Sequence, residues 1–174
     1  MLSILEAVWQ GRTIDLPVDK EYSLVQLAHE IGAVALEDGE KIAEEILARE
    51  RGHNCSIGFG VATPHIGVPG KGELVCAVGW SKEGLDYGAC NGQPVHMLIM
   101  YRIPESRRSA YLDEMAAISR AIKTLGEKPI NNEKDRTKFI NALIEQTQDA
   151  RSAAARPEPG FHPSTKAVVK GKRK

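Results

Sequence analysis

Two stretches leave this chain little freedom in how it folds: ELVCAVGWS at residues 73–81 and VHMLIMY at residues 95–101. Both are nearly unbroken apolar runs, short enough for strands, with Val, Ile or aromatic residues and with Gly or Pro close by. A strand with one wet face alternates apolar and polar residues; a strand apolar on both sides must be covered on both sides. The flanking sequence supplies the covers. SLVQLAHEIGAVA (residues 23–35) places Leu24, Leu27, Ala28 and Ile31 on one helical stripe, with Ser23 as candidate N-cap. EDGEKIAEEILARERG repeats the period through Ile42, Ile46 and Leu47, with Gly52 as the stop. After Pro104 the helical period returns in SAYLDEMAAISRAIKTL, with Leu112, Met115, Ile118 and Ile122 inward, and again in NEKDRTKFINALIEQT, with Phe139, Ile140, Leu143 and Ile144. RTIDLPV and GFGVAT read as further short strands. Helices, then strands, then helices predict an α/β sandwich: a small mixed sheet flanked by helices.

Residues 1–150 are expected to form one domain, with a basic tail over residues 151–174. The formal net charge of zero conceals the division. From Arg151 onward there are seven basic residues and one acid, a net +6, against 16 basic and 22 acidic residues before it, a net −6. With almost no large apolar side chain to bury, the tail is predicted to be disordered. Such a segment reads first as a solubilising or cloning-derived extension and only second as a weak contact for nucleic acid or an acidic partner, so no nucleic-acid partner is expected. No apolar run approaches the roughly 18 residues of a membrane helix, so no membrane insertion is expected. The start, MLSILEAVWQGR, lacks the pattern of a signal peptide. Three cysteines, Cys55, Cys76 and Cys90, with no CxxC spacing predict free thiols in a reducing cytoplasm.

The chemistry concentrates in GFGVATPHIGVPG, residues 58–70, where one histidine stands among glycines and prolines. Pro64 pushes Thr63 toward extended backbone and stiffens the site, so His65 is expected at a fixed strand exit. Gly58, Gly60, Gly67 and Gly70 permit close approach of backbone to a ligand, and the N–H groups around Gly58, Gly60, Thr63 and Gly67 are candidate anion donors. An imidazole held among such donors can accept a phosphoryl group, the ring nitrogen attacking and the N–H groups stabilising the oxygens. A solvated loop histidine fits the same residues.

The longer run LARERGHNCSIGFGVATPHIGVPG resembles the fructose–mannitol type IIA domain of the bacterial sugar phosphotransferase system and its nitrogen-regulatory relatives. That family closes a helix with Arg-Glu, here Arg49-Glu50, and follows it with a Gly-rich strand ending in Ala-hydrophobic-Pro-His, here Ala62-Thr63-Pro64-His65. VGWSKEGLDYGACNGQPVHMLIMYRIPES and YLDEMAAISRAI are similar to the family's next segments, so the likeness covers residues 1–148. The resemblance implies that His65 takes a phosphoryl group from an HPr-type histidine carrier. His65 then passes it to a IIB domain or signals to a regulatory target by its phosphorylation state. Arg49 matches the family's arginine beside the phosphohistidine, where a guanidinium fork suits phosphate oxygens; a cation in the last turn of a helix also serves the helix dipole. No cofactor and no metal are expected.

One departure matters. Many members carry a second histidine eight residues before the serine of the Ile-Ser-Arg motif, and here that position is Tyr111. A phenol donates a hydrogen bond but carries no positive charge at neutral pH. Slower transfer, or a shift toward regulation, is the expectation. The absence of a IIB or IIC unit from these residues points the same way. The alternative is a binding module that docks to a kinase or transporter after its transfer chemistry has decayed. Cys55 and Ser56 replace the usual Thr-Gly. A Cys55 hydrolase would need an oxyanion hole and a third partner, neither of which is legible; zinc on His53, Cys55 and His65 matches no common ligand spacing. His96 reads as a packed strand histidine and His29 as a surface residue; His162 lies in the tail. The sequence fixes neither the sugar, the target nor the oligomeric state.

Overall fold

A computed structural model describes residues 2–154. Its elements are α1 (Ser3–Trp9), β1 (Thr13–Asp15), α2 (Lys20–Ala35), α3 (Gly39–Gly52), β2 (Ser56–Gly58), β3 (Val61–Ala62), β4 (His65–Val68), β5 (Val75–Leu85), β6 (Val95–Pro104), a 3₁₀ turn (Glu105–Arg107), α4 (Arg108–Thr124) and α5 (Glu133–Ala154). Helix α5 runs four residues past position 150, and the remainder of the basic tail, with His162, lies outside the described residues.

The six strands form one mixed sheet in the order β1-β5-β6-β3-β2, with β4 also on β6. Strand β5 is antiparallel to β6 and parallel to β1, while β3 and β4 run parallel to β6. The two apolar runs are the central pair. On one face Cys76, Val78 and Trp80 of β5 and Met97, Ile99 and Tyr101 of β6 pack with α1, α4 and α5. On the other, Val75, Ala77, Leu98 and Met100 pack with α2 and α3. The period of two has no wet face because each face has its own helical layer. Gly79 is where the α2 side closes most tightly: a Cβ there would stand 2.3 Å from a Leu16 methyl.

Three expectations need correction. Helix α2 begins a turn earlier than Ser23 indicates: Asp19 is the N-cap, accepting from the Tyr22 N–H at 2.7 Å, and the buried Ser23 donates its hydroxyl to the Pro17 carbonyl. A carboxylate satisfies the orphan donors and meets the positive helix end, so it wins the cap. Leu112 points outward and is 64% exposed, while Glu114 turns inward at 3%. The reason is α1, which the sequence reading did not identify. Glu114 accepts from the Ser3 and Ile4 N–H groups and the Ser3 hydroxyl at the start of α1, and from the Tyr101 hydroxyl. Four donors make this carboxylate the inward residue and set the rotation of α4.

The third concerns His65, which does not leave a strand. Val61 and Ala62 pair with Met97 and Leu98, and His65 to Val68 pair with Tyr101 to Pro104, at a constant offset of 36 residues. Strands β3 and β4 are therefore one parallel strand in unbroken register, interrupted at Thr63-Pro64 where proline has no N–H to offer. His65 opens the second half.

Candidate functional site

The register decides where the ring points. His65 shares the parity of Val61, so it lies toward the α4 layer, above Tyr101, its partner on β6. The Thr63 carbonyl sits 3.0 Å from Nδ1 of His65, and Nη2 of Arg49, from the last turn of α3, sits 3.0 Å from Nε2. A carbonyl only accepts and a guanidinium only donates. The neutral ring therefore carries its proton on Nδ1 and its lone pair on Nε2. The stiff Thr63-Pro64 step fixes both ring and carbonyl, so the tautomer is built into the backbone.

Tyr111 covers the ring from α4. Its ring lies 5.4 Å from that of His65 and edge-on to Tyr101 at 5.2 Å. Its hydroxyl is 3.5 Å from Nδ1, the nitrogen already engaged with Thr63, rather than beside Nε2. Burial raises the Tyr111 phenol above its ordinary range, with Cys55 adding to the shift and Arg49 opposing it. The phenol is neutral at physiological pH.

The remaining residues singled out in the loop take varied places. The Thr63 N–H donates to the Cys55 carbonyl at 2.9 Å, so what Thr63 offers the ring is its carbonyl. Gly60 has φ +74° and its absent Cβ would stand 2.6 Å from the Ile130 carbonyl; its own carbonyl receives the His96 and Met97 N–H groups. Gly58 lines a shallow recess with Ser56, Ile57, Cys90 and Asn91, and Gly67 lies exposed within β4. His96 is buried, with Nδ1 on the Ser81 carbonyl and its ring against Trp80; His29 is exposed beside Glu40. Among the described residues no three His, Cys, Asp or Glu side chains converge as metal ligands, and no helix is long and apolar enough to cross a membrane.

Beneath Arg49 lies a polar cluster that the sequence reading did not weigh. Glu50, 8% exposed, meets Nζ of Lys20 at 3.4 Å as its ion partner. That ammonium also lies 4.0 Å over the Tyr87 ring and 3.3 Å from the Tyr87 carbonyl. Asn54 clamps the same loop through the Tyr87 and Gly88 carbonyls. Burial, then Glu50, pushes the Cys55 thiol up to about 12, and the same two causes raise the Tyr87 phenol. Cys55 is thus a thiol, not a thiolate, at neutral pH. The signal available in the sequence was slight: Glu50 sits next to Arg49, about 100° round the helix, so the two need not share a face.

Comparison with known proteins places the chain among relatives. The family model described as "Phosphoenolpyruvate-dependent sugar phosphotransferase system, EIIA 2" matches residues 19–147. A fructose-specific EIIABC component of Bacillus subtilis is 33% identical over 48% of this chain, a stretch that is 13% of that longer protein. A fructose-specific EIIA component of Haloferax volcanii is 27% identical over 71% of the chain and 74% of its own length. A nitrogen regulatory protein of Pseudomonas aeruginosa is 27% identical over 68% and 79%. Among solved structures, nitrogen regulatory protein IIA-Ntr of Neisseria meningitidis superposes with a TM-score of 0.60 at 19% identity, covering 74% of this chain and 83% of that one. The mannitol IIA of Escherichia coli has the same fold, at 0.56 and 13%, over 76% and 96%. With the family model spanning β4, α4 and most of α5, this chain belongs to the EIIA 2 family of the phosphoenolpyruvate-dependent sugar phosphotransferase system.

Proposed function

We propose that His65 is the phosphoryl acceptor of a phosphocarrier protein, charged by an HPr-type histidine carrier. The observation that carries this is the ring's double anchoring, Nδ1–H on the Thr63 carbonyl and a bare Nε2 facing Arg49. Nε2 attacks phosphorus; the new N–P bond forms as the N–P bond to the carrier's ring breaks. That ring, cationic while it holds the phosphoryl group, takes back its electron pair and leaves as neutral imidazole. His65 becomes the phosphoimidazolium, its Nδ1 proton still on Thr63. No proton changes hands. Arg49, displaced from Nε2 by the incoming phosphorus, turns its fork onto the phosphoryl oxygens. The group then passes to a IIB domain, or its presence signals to a regulatory target.

A second reading rests on Tyr111. It fills the position of the family's second histidine with a neutral phenol placed by Nδ1, so no second cation faces the phosphoryl group. That favours a regulatory use over rapid sugar uptake. At the extreme it favours a docking module for a kinase or transporter that no longer transfers phosphate.

Phosphoenolpyruvate, enzyme I and the host's histidine carrier, with intact mass as readout, separate the readings. An acid-labile phosphate on the wild type that is missing from His65→Ala supports the carrier. No phosphate on the wild type, with phosphate on Tyr111→His, supports the docking module. Phosphate that persists in His65→Ala removes His65 from the role.

A further inference from the structure

Arg12 is 8% exposed, yet no carboxylate of the described residues lies within 4.0 Å of it. Its Nε reaches the Cys76 carbonyl at 3.3 Å and its Nη1 the Gln10 side chain, both neutral acceptors. Among the described residues its Nη2 has no hydrogen-bond partner, and it is not sealed from solvent. A guanidinium this buried ordinarily has an anion beside it, because desolvation without a counter-charge is costly.

The space beside Arg12 is a cleft of about 540 Å³, within the size range of small-molecule sites. Two more cations line it. Lys71 is exposed and forms no ion pair among the described residues. Arg102 gives Nε and Nη2 to Glu37, which leaves Nη1 free, 3.6 Å from where a Cβ on Gly72 would stand. Two acids also line the cleft. Glu73 is neutralised by Arg107, and Glu6 holds only the Gln10 amide. Arg12 and Lys71 against Glu6 leave one positive charge without a partner.

We propose that this cleft binds a small oxyanion, a carboxylate- or phosphate-bearing metabolite, held by Arg12 and Lys71 with Nη1 of Arg102. Nη2 of Arg12, Nη1 of Arg102 and the Lys71 ammonium are the donors left over among these lining residues, and N–H donors of cationic groups suit the oxygens of a single anionic group. Arg12 and Glu6 precede residues 19–147, so the family match does not assign this site. Nor does the site depend on the role of His65.

The test is amide-resolved NMR of the full chain, titrated with inorganic phosphate and, separately, succinate at constant ionic strength. Saturating shifts at Arg12, Lys71 and Gly72 with either anion are expected, and which one saturates identifies the group recognised. Lys71→Gln, at an exposed position, weakens binding roughly 10-fold, the worth of one charge-assisted hydrogen bond. Arg12→Lys keeps the charge, loses the Nη2 donor and weakens it similarly. His65→Ala leaves the cleft titration intact, which separates it from phosphate at the phosphoryl site. Shifts linear to about 50 mM with both anions, weaker than a metabolite site requires, overturn the proposal. So do shifts confined to Arg49 and His65, or an affinity indifferent to Lys71→Gln.

Discussion

Nη2 of Arg49 stands 3.0 Å from Nε2 of His65, at the nitrogen that the Thr63 carbonyl leaves unprotonated. In the proposed transfer a guanidinium there orients the bare nitrogen beforehand and meets phosphoryl oxygens afterwards. Arg49→Ala is expected to lower the rate of His65 phosphorylation roughly 10- to 100-fold, the worth of a charge-assisted hydrogen bond. Arg49→Lys recovers part of it, since a point charge replaces the fork. Single-turnover transfer from the phosphorylated carrier measures both; an unchanged rate in Arg49→Ala would leave Arg49 as a helix-end cation only.

Tyr111 packs tilted against the His65 ring, and its hydroxyl faces Nδ1, not the nitrogen proposed to attack. Tyr111→Phe should therefore transfer within about 3-fold of wild type, because the lost contact is a long one at 3.5 Å. Tyr111→His should be faster below pH 7, where an imidazolium can face the phosphoryl oxygens, with the gain fading as the ring deprotonates. A Phe variant slowed by 100-fold would show the hydroxyl at work in the transfer.

The central pair of strands and the stripes of α2 and α3 were legible because their period matches what buries them: Leu24, Leu27, Ile31, Ile42 and Ile46 all lie inside. The outward turn of Leu112 was not. Residues 112, 115, 118 and 122 make a regular stripe, but the rotation of α4 is set by Glu114 on donors more than a hundred residues away. His65, Arg49 and Tyr111 were each named from motif order, and the structure brings all three together. The tautomer was not legible, because it depends on the Thr63 carbonyl and on β4 resuming the register of β3. Nor was the Lys20–Glu50–Tyr87 cluster, three residues from different parts of the chain that meet only in the fold.

Glu50 is buried with one ammonium as its counter-charge. Removing the cation should cost more than removing the acid, since an unpaired carboxylate is left behind. Lys20→Met is expected to destabilise by roughly 2–4 kcal/mol, partial exposure of the lysine discounting the full buried-pair value. In a domain of this size that lowers Tm by about 5–15 °C. Glu50→Gln should cost less than Lys20→Met. Thermal unfolding of both variants gives the comparison, and the reverse order would mean that Lys20 is held by the Tyr87 ring and carbonyl more than by Glu50.

The three thiols should separate by environment. Cys90 is exposed, Cys55 half-buried and Cys76 buried. Burial and Glu50 hold the Cys55 thiol up at about 12 from 9.0, and burial with Glu114 raises Cys76 too. Iodoacetamide at neutral pH should label Cys90 first, Cys55 slowly and Cys76 only on unfolding, since the thiolate is the nucleophile. The same shift sets a pH dependence of stability. Unfolded, Cys55 ionises near 9.0; folded, it keeps its proton to about 12. The folded state binds more protons across that window, so stability is whole below the unfolded value and falls as pH rises through it. Tyr87 and Tyr101, also raised by burial, extend the loss in the same direction. Tm measured from pH 8 to about 11 should drop progressively, and Cys55→Ala should flatten the first part of the decline. Fast Cys55 alkylation at neutral pH, with no flattening in the alanine variant, would mean a thiolate at that position and would reopen nucleophilic chemistry there.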